Sequence, residues 1–437
     1  MSALARLAEK RRNPFAANLI ARVAALGSLA TVSLVVARSG GPAAVGELAL
    51  LRVLPWLTGV ILTCGLYGAA PYFLAGRAGP DPRYRPTIVG IALAAGAVGS
   101  ALWFAGAGEI KEQFFHTVPI AIVTWAGVTV LTQVLESTAK ACSQGMDDLP
   151  GANRVIVLEE FMFLPMYLVF RAAGVEQSTS MLAGLALGDL FTLTPAWIRL
   201  YRRGFFHKAG RPSLALARRV CKFGMKAQAG TLLTLVNERL DFAIVGALVG
   251  PAALGIYAIA SRFAELLRLP STVINYVLYP RYARQDGVAS AAQARALIPR
   301  VGWVSPAAAL PLALAATFVL PAVFGEAFRP AVVPTYILLV GLSGGAVAGI
   351  ISAYLYGNGR PGLDSLGMGA GVVMTIVLDV LLIPRYGVLG AAIASAVSYT
   401  TTIGVLIACF WTVTRQREKA PAEPAIGEAP VRAVTRA

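Results

Sequence analysis

From end to end, the chain alternates between long apolar runs and short breaks made of Gly, Pro and clustered charge. The runs last ~20–30 residues, the length an α-helix needs to cross the hydrocarbon core of a bilayer. Barrel strands, the other way to span a membrane, would be ~10-residue segments of alternating polarity. Helices are therefore predicted. The breaks divide the chain into about twelve spans, near 16–37, 46–75, 87–106, 115–136, 152–171, 179–199, 224–249, 252–280, 300–324, 330–356, 362–383 and 387–412. The expected class is an all-α polytopic membrane protein.

Composition strengthens that picture. Only 14% of the residues are charged and 57% are hydrophobic, whereas soluble domains carry about 25% charge. Mean hydropathy is +0.68. The net charge of +16 would suit nucleic acid, but a cytoplasmic excess of Lys and Arg between spans accounts for it, so no nucleic-acid partner is expected. Cys64, Cys142, Cys221 and Cys409 are too scattered for a disulfide framework or a zinc site. His116 and His207 are the only histidines, which leaves no histidine-rich metal site. Lys10-Arg11-Arg12 precedes an apolar segment that runs on to Val36. It reads as an uncleaved first helix, since a signal peptide would be shorter.

Charge also sets the orientation. With the N-terminus in the cytoplasm, 28 of the 38 Lys and Arg residues fall on the cytoplasmic side and 5 on the other. That asymmetry predicts cytoplasmic termini. Arg22, Arg52, Arg239, Arg262 and Arg268 fall inside spans.

The chain repeats itself. Pro42-Ala43-Ala44-Val45-Gly46 matches Pro251-Ala252-Ala253-Leu254-Gly255, and Pro71 matches Pro280 in the same register. Two pseudo-symmetric six-helix bundles in parallel orientation follow, with a central cavity between them. The expected organisation is an N-terminal bundle over 1–200, a basic linker over 201–223, a C-terminal bundle over 224–412 and a disordered tail over 413–437. Within the linker, Ser213 is placed to cap a short helix with basic and apolar faces.

The stretch Asn237 to Arg284 concentrates Asn237, Glu238, Arg239, Asp241, Arg262, Glu265 and Arg268 in two apolar runs joined at Gly250-Pro251. Ionised groups at membrane depth cost several kcal/mol (about 2.5–3.5 on insertion scales) unless they pair or face a wet cavity, so they mark function by default. Three stretches carry a family resemblance: GPAALGIYAIASR with YPRYAR, YGNGRP, and LLIPRYGVLGAAIAS. The sequence resembles the polysaccharide-transporter branch of the multidrug/oligosaccharidyl-lipid/polysaccharide exporter superfamily, the O-antigen and exopolysaccharide flippases. One departure is Asp379, where the family often has asparagine.

The resemblance implies a flippase for a polyprenyl-diphosphate-linked oligosaccharide in the bacterial plasma membrane. Glycan polymerase and glycosyltransferases of the same pathway would be its partners. Arginine suits a diphosphate because its planar fork pairs with phosphate oxygens. Arg22, Arg52, Arg262, Arg268 and Asn237 are the candidate substrate contacts; pairing within the protein is the competing reading for the arginines. Glu238, Asp241, Glu159 and Asp379 are the candidate coupling carboxylates for H⁺ or Na⁺, with no other cofactor. Glu160 and Asp189 belong to the same set of candidate carboxylates, with a place near a helix end as the competing reading for Asp189. Other readings are a multidrug or lipid II type exporter of the superfamily, or a polysaccharide polymerase or ligase. The last needs a long outward loop with catalytic residues, which is lacking, and no GxxxxGK[ST] phosphate loop is present. A non-enzymatic transporter is expected.

Overall fold

The computed structural model describes residues 14–75, 81–282 and 285–419, with the side chains of 226–239 outside the described residues. Lys10 to Arg12, the tail beyond Lys419 and the side chains of Asn237, Glu238 and Arg239 therefore lie outside them. Every described element is helical. The N-terminal half holds α1 (Pro14–Leu62), α2 (Leu66–Leu74), α3 (Tyr84–Phe114), α4 (Ile120–Trp125), α5 (Gly127–Gly145), α6 (Leu149–Phe161), α7 (Phe163–Ala172) and α8 (Gln177–Arg202). The C-terminal half follows α9 (Leu214–Leu248) with α10 (Pro251–Glu265), α11 (Arg268–Tyr282), α12 (Gly287–Val301), α13 (Val304–Val319), α14 (Val332–Leu342), α15 (Gly345–Gly357), α16 (Pro361–Tyr386) and α17 (Val388–Lys419). A π turn at Leu320–Phe324 and a 3-10 turn at Glu326–Ala331 link α13 to α14.

Grouped across their kinks, these make twelve segments of membrane-crossing length. Eight stretches qualify by length and apolar composition alone, and the first of them, Ile20–Leu62, is two arms of one bent helix. The other three segments, 149–172, 214–248 and 251–282, carry charge within them.

The bend in α1 has a local cause. Gly41 has φ 68° and ψ −164°, a backbone region open essentially to glycine alone, and Pro42 cannot donate the next helical hydrogen bond. Gly250 before Pro251 has φ 102° and ψ 173°. The internal repeat thus recurs as the same backbone turn. Just beyond it the two backbones meet. A Cβ built on Gly46 would overlap the Pro251 carbonyl, and one built on Gly255 would overlap the Pro42 carbonyl. Only glycine permits that reciprocal approach of α1 and α10.

Packing then separates the two ends of the molecule. One buried cluster near these turns runs through both halves, from Val36 and Leu51 to Tyr257, Ala258 and Phe328. Arg38 adds a tie there, with Nε 2.7 Å from the Val323 carbonyl. At the opposite end each half has its own core. Phe73, Tyr84 and Leu200 anchor one, and Tyr282, Tyr354 and Phe410 the other. Among the described residues, the core thus runs across both halves at one end and divides into two clusters at the other.

The linker differs from the expected short helix. Ser213 does cap, accepting from Leu216 N at 3.5 Å, but the helix it starts runs unbroken to Leu248. Its first turns dock on the N-terminal half, where Phe223 stacks on Tyr72 with ring centroids 4.4 Å apart. At the far end, α17 likewise continues past residue 412 to Lys419.

Candidate functional site

Between the halves lies a cavity of about 270 Å³, lined by Arg52, Gln133, Glu136, Glu159, Glu160, Asp189, Arg262 and Glu265 beside Trp56 and Phe163. These side chains come from α1, α5, α6, α8 and α10, with Phe163 at the start of α7. Gln133, Glu136, Ser137 and Lys140 recur at helical spacing on α5, so one face of that helix is polar. Its other positions, such as Val130 and Val134, are buried.

The cavity is built from ion pairs. Arg52 Nη2 lies 2.7 Å from Glu160 Oε2, and its guanidinium sits over the Phe163 ring, 6.0 Å from the centroid. Lys140 Nζ lies 2.8 Å from Glu159 Oε2. Asp189 accepts from Thr132 Oγ1 at 2.6 Å. Glu136 is 3% exposed, and its Oε1 finds no hydrogen-bond partner among the described residues. Arg262 donates to Ser33 on α1, so it bridges the halves. It also lines an apolar cleft with Leu26, Leu29, Phe263 and Phe324.

The other predicted residues scatter. Arg22 is exposed, with Nε 3.0 Å from Asn18 Oδ1, and does not line the central cavity. Arg268 lines a separate cavity in the C-terminal half. Asn237 and Glu238 lie outside the described residues. Asp241 is buried in the C-terminal half, accepting the Tyr257 hydroxyl at Oδ2 and its neighbour Phe242 N at Oδ1, the latter at 2.8 Å. Ser395 Oγ completes that knot, 3.2 Å from Asp241 Oδ2. Asp379 on α16 is wholly buried, and neither carboxylate oxygen has a hydrogen-bond partner among the described residues. Helices α9 and α16 pack together and bring Asp379 within electrostatic reach of Asp241.

Asp189 sits midway along α8, away from its ends, and lines the cavity. One correction follows. Lys140 and Glu136 belong to the site, because α5 runs on to Gly145 instead of ending near residue 136. A charge at the edge of an apolar run looks like a loop charge until the helix is seen to continue. The spacing of Gln133, Glu136 and Lys140 is the signal that exposes them.

Outside the spans, Asp148 caps α6 by accepting from Gly151 N at 3.1 Å. It also receives Arg199 Nε at 2.6 Å and Nη2 at 2.8 Å. Burial opposes its ionisation, but the Arg199 fork and the Gly151 amide outweigh that and hold the carboxyl below its ordinary value.

A family model described as "Polysaccharide biosynthesis protein" matches residues 35–333. The chain is 24% identical over 197 residues to the probable low-salt glycan biosynthesis flippase Agl15 of Haloferax volcanii, a match covering 43% of this chain and 41% of that relative. The chain thus spans about two fifths of that relative's length. Among solved structures, the fold is similar to the lipid II flippase MurJ in an inward closed conformation, with TM-score 0.73, 11% identity, and coverage of 91% of this chain and 89% of the other. It is also similar to a multidrug resistance MATE family transporter of the MOP superfamily. The inward-facing form gives TM-score 0.71 at 14% identity over 92% and 96% of the two chains. The outward-facing form gives 0.55 at 14% identity over 93% and 97%.

Proposed function

Because the chain belongs to the polysaccharide biosynthesis protein family, a family of membrane transporters on the evidence of its flippase relative and fold, we propose that it is a flippase for a polyprenyl-diphosphate-linked oligosaccharide. It would carry the O-antigen or exopolysaccharide unit across the bacterial plasma membrane by alternating access, with both termini in the cytoplasm. Arg262 is the observation that carries this reading. It stands where the central cavity, the apolar cleft and both halves meet. A lipid-linked sugar needs that juxtaposition: a cation for the diphosphate, a polar chamber for the glycan and an apolar opening for the chain. Trp56, Phe163 and the cavity carboxylates offer the stacking faces and acceptors that sugar hydroxyls use.

The coupling ion, H⁺ or Na⁺, is assigned to Asp241 and Asp379, whose burial in the C-terminal half keeps them clear of the glycan. Glu159 is tied to Lys140 and serves the cavity wall. The reaction is transport without covalent chemistry. One observation favours a second reading: the lining holds Glu136, Glu159, Glu160, Asp189 and Glu265 against Arg52 and Arg262, a balance that suits a cationic drug. The deciding experiment measures glycan export in cells that depend on this chain. Arg262→Ala, inserted normally, is expected to abolish export. Normal export by that variant would overturn the role given to Arg262, and export of organic cations by the wild type without glycan would overturn the flippase reading.

A further inference from the structure

The fold brings together two cysteines that stand far apart in the sequence. Cys64 lies in the turn between α1 and α2, and Cys221 lies early in α9. The Cys64 sulfur donates to the Leu62 carbonyl at 3.7 Å. Cys221 faces that sulfur within side-chain hydrogen-bonding reach. The backbones come just as close. A Cβ built on Gly224 would overlap the Cys64 carbonyl and fall 2.9 Å from the Gly65 carbonyl oxygen. Cys221 precedes Gly224 by about one helical turn and shares its face, so the bare glycine seats the turn on α9 beside the thiol. Buried Val220 and the stack of Phe223 on Tyr72 hold the same contact.

Cys64 is not the residue its backbone prefers. Its φ of 50° lies in the left-handed region, where Gly, Asn and Asp are favoured and other side chains are uncommon. The side chain is therefore what the position uses, and the distinctive property of a thiol is its reactivity. We propose that Cys64 and Cys221 form an oxidation-responsive pair, which a hydroperoxide converts to a disulfide that pins the foot of α9 to the N-terminal half.

In the orientation proposed above, both thiols lie on the cytoplasmic side, where glutathione and thioredoxin keep thiols reduced. The disulfide then forms only under oxidant load. One thiol, as its thiolate, attacks the peroxide O–O bond, takes one oxygen as a sulfenic acid and releases water. The second thiol attacks that sulfur, forms the S–S bond and expels a second water. The pair gives up two hydrogens and two electrons, and the peroxide accepts them. Both cysteines are partly exposed, whereas Cys142 is buried and Cys409 lies on α17 in the other half. A disulfide needs Cβ atoms about 3.5–4.5 Å apart, and the seating of Cys64 against Gly224 supplies the close backbone approach. From this foot α9 runs unbroken to Leu248. A stroke that moves the halves must shift that helix against one of them, and the disulfide forbids the shift at Cys64. This brake rests on the flippase reading; the link itself does not.

The test treats the full chain in nanodiscs with hydrogen peroxide and reads its peptides by mass spectrometry. The wild type should yield a linked pair carrying Cys64 and Cys221, lighter by two hydrogens and parted again by dithiothreitol. Cys64→Ser and Cys221→Ser, both close in size to the native residue, should yield none. Wild-type thiols that stay separate, or that end as independent sulfinic acids, overturn the pair. In cells that depend on this chain, peroxide should slow glycan export by the wild type severalfold more than export by Cys64→Ser. Equal slowing in the two, with the link formed, overturns the brake. A link that forms in a wild type exporting no glycan even before peroxide overturns the flippase reading and leaves the pair standing.

Discussion

Gly46 and Gly255 occupy equivalent places in the two repeats, and each packs its bare backbone against the proline that opens the other's helix. The contact is its own mirror: Gly46 meets Pro251, and Gly255 meets Pro42. A parallel repeat related by an axis along the membrane normal brings such equivalent positions together on that axis. The sequence repeat and the closed end of the molecule are one feature.

Either glycine should therefore be intolerant of a single methyl group. Gly46→Ala and Gly255→Ala each drive a carbon into a backbone carbonyl that no rotamer change can move. Both variants are expected to insert normally, to lose export, and to hold the joined end apart. Spin labels at Arg38 and Val323 would report the wider separation; an unchanged distance with full export would refute the close-packing account.

Arg38 is a weaker tie across the same end. Its guanidinium reaches the carbonyls of Val323 and Ala322, at 2.7 Å and 2.5 Å, and the site is exposed. Arg38→Ala should bias the closed end toward opening by about 1 kcal/mol, with export slowed severalfold but not lost. Faster thiol labelling of a cysteine introduced at Val323 is the readout, and equal labelling rates would show that the bonds hold nothing closed.

Arg52 and Glu160 separate a structural from a substrate role. Removing one partner of a half-buried pair leaves the other charge uncompensated, at about 1–3 kcal/mol, whereas removing both is often nearly neutral. Arg52→Met and Glu160→Gln should each lower the unfolding midpoint, and the double variant should recover most of it. If the recovered double variant also exports glycan, Arg52 is a brace for the cavity wall. If it is stable and inactive, Arg52 touches cargo.

Asp148 predicts an acid-labile corner at the start of α6. Its native carboxyl titrates below the ordinary value, so its stabilising contribution is complete above about pH 4. That contribution is lost as pH falls through the lower native value. Wild-type stability should therefore fall more steeply below about pH 4 than that of Asp148→Asn, which is less stable at neutral pH. Parallel pH profiles for the two proteins would contradict the Arg199 fork as the cause.

Much of the architecture could be read from one sequence because lipid imposes a simple rule. A backbone crossing hydrocarbon must bond to itself, so apolar length and Gly-Pro breaks gave the helices and their order. The repeat at Pro42 and Pro251 gave the two-part plan. The site was harder. Arg52 and Arg262 were visible as lone charges in apolar runs, but their partners Glu160 and Ser33 are more than a hundred residues away. Glu136 and Lys140 sat at the edge of a run, where a membrane pattern cannot tell cavity from loop. The knot of Tyr257 and Ser395 around Asp241 uses residues that also fill ordinary membrane helices, so no local pattern marks it. The separate chamber at Arg268 depends on how α11, α14, α15 and α17 lean together, which no single segment encodes.

Helix α9 starts docked against Tyr72 and ends at Leu248 beside the C-terminal bundle, without a break in its backbone. The two halves thus share a girder in place of a slack tether, and one half cannot wander while the other stays put. Rocking must bend that girder or swing it about its ends. A flexible insertion placed midway along it would cost the transporter its stroke even if both bundles folded unharmed.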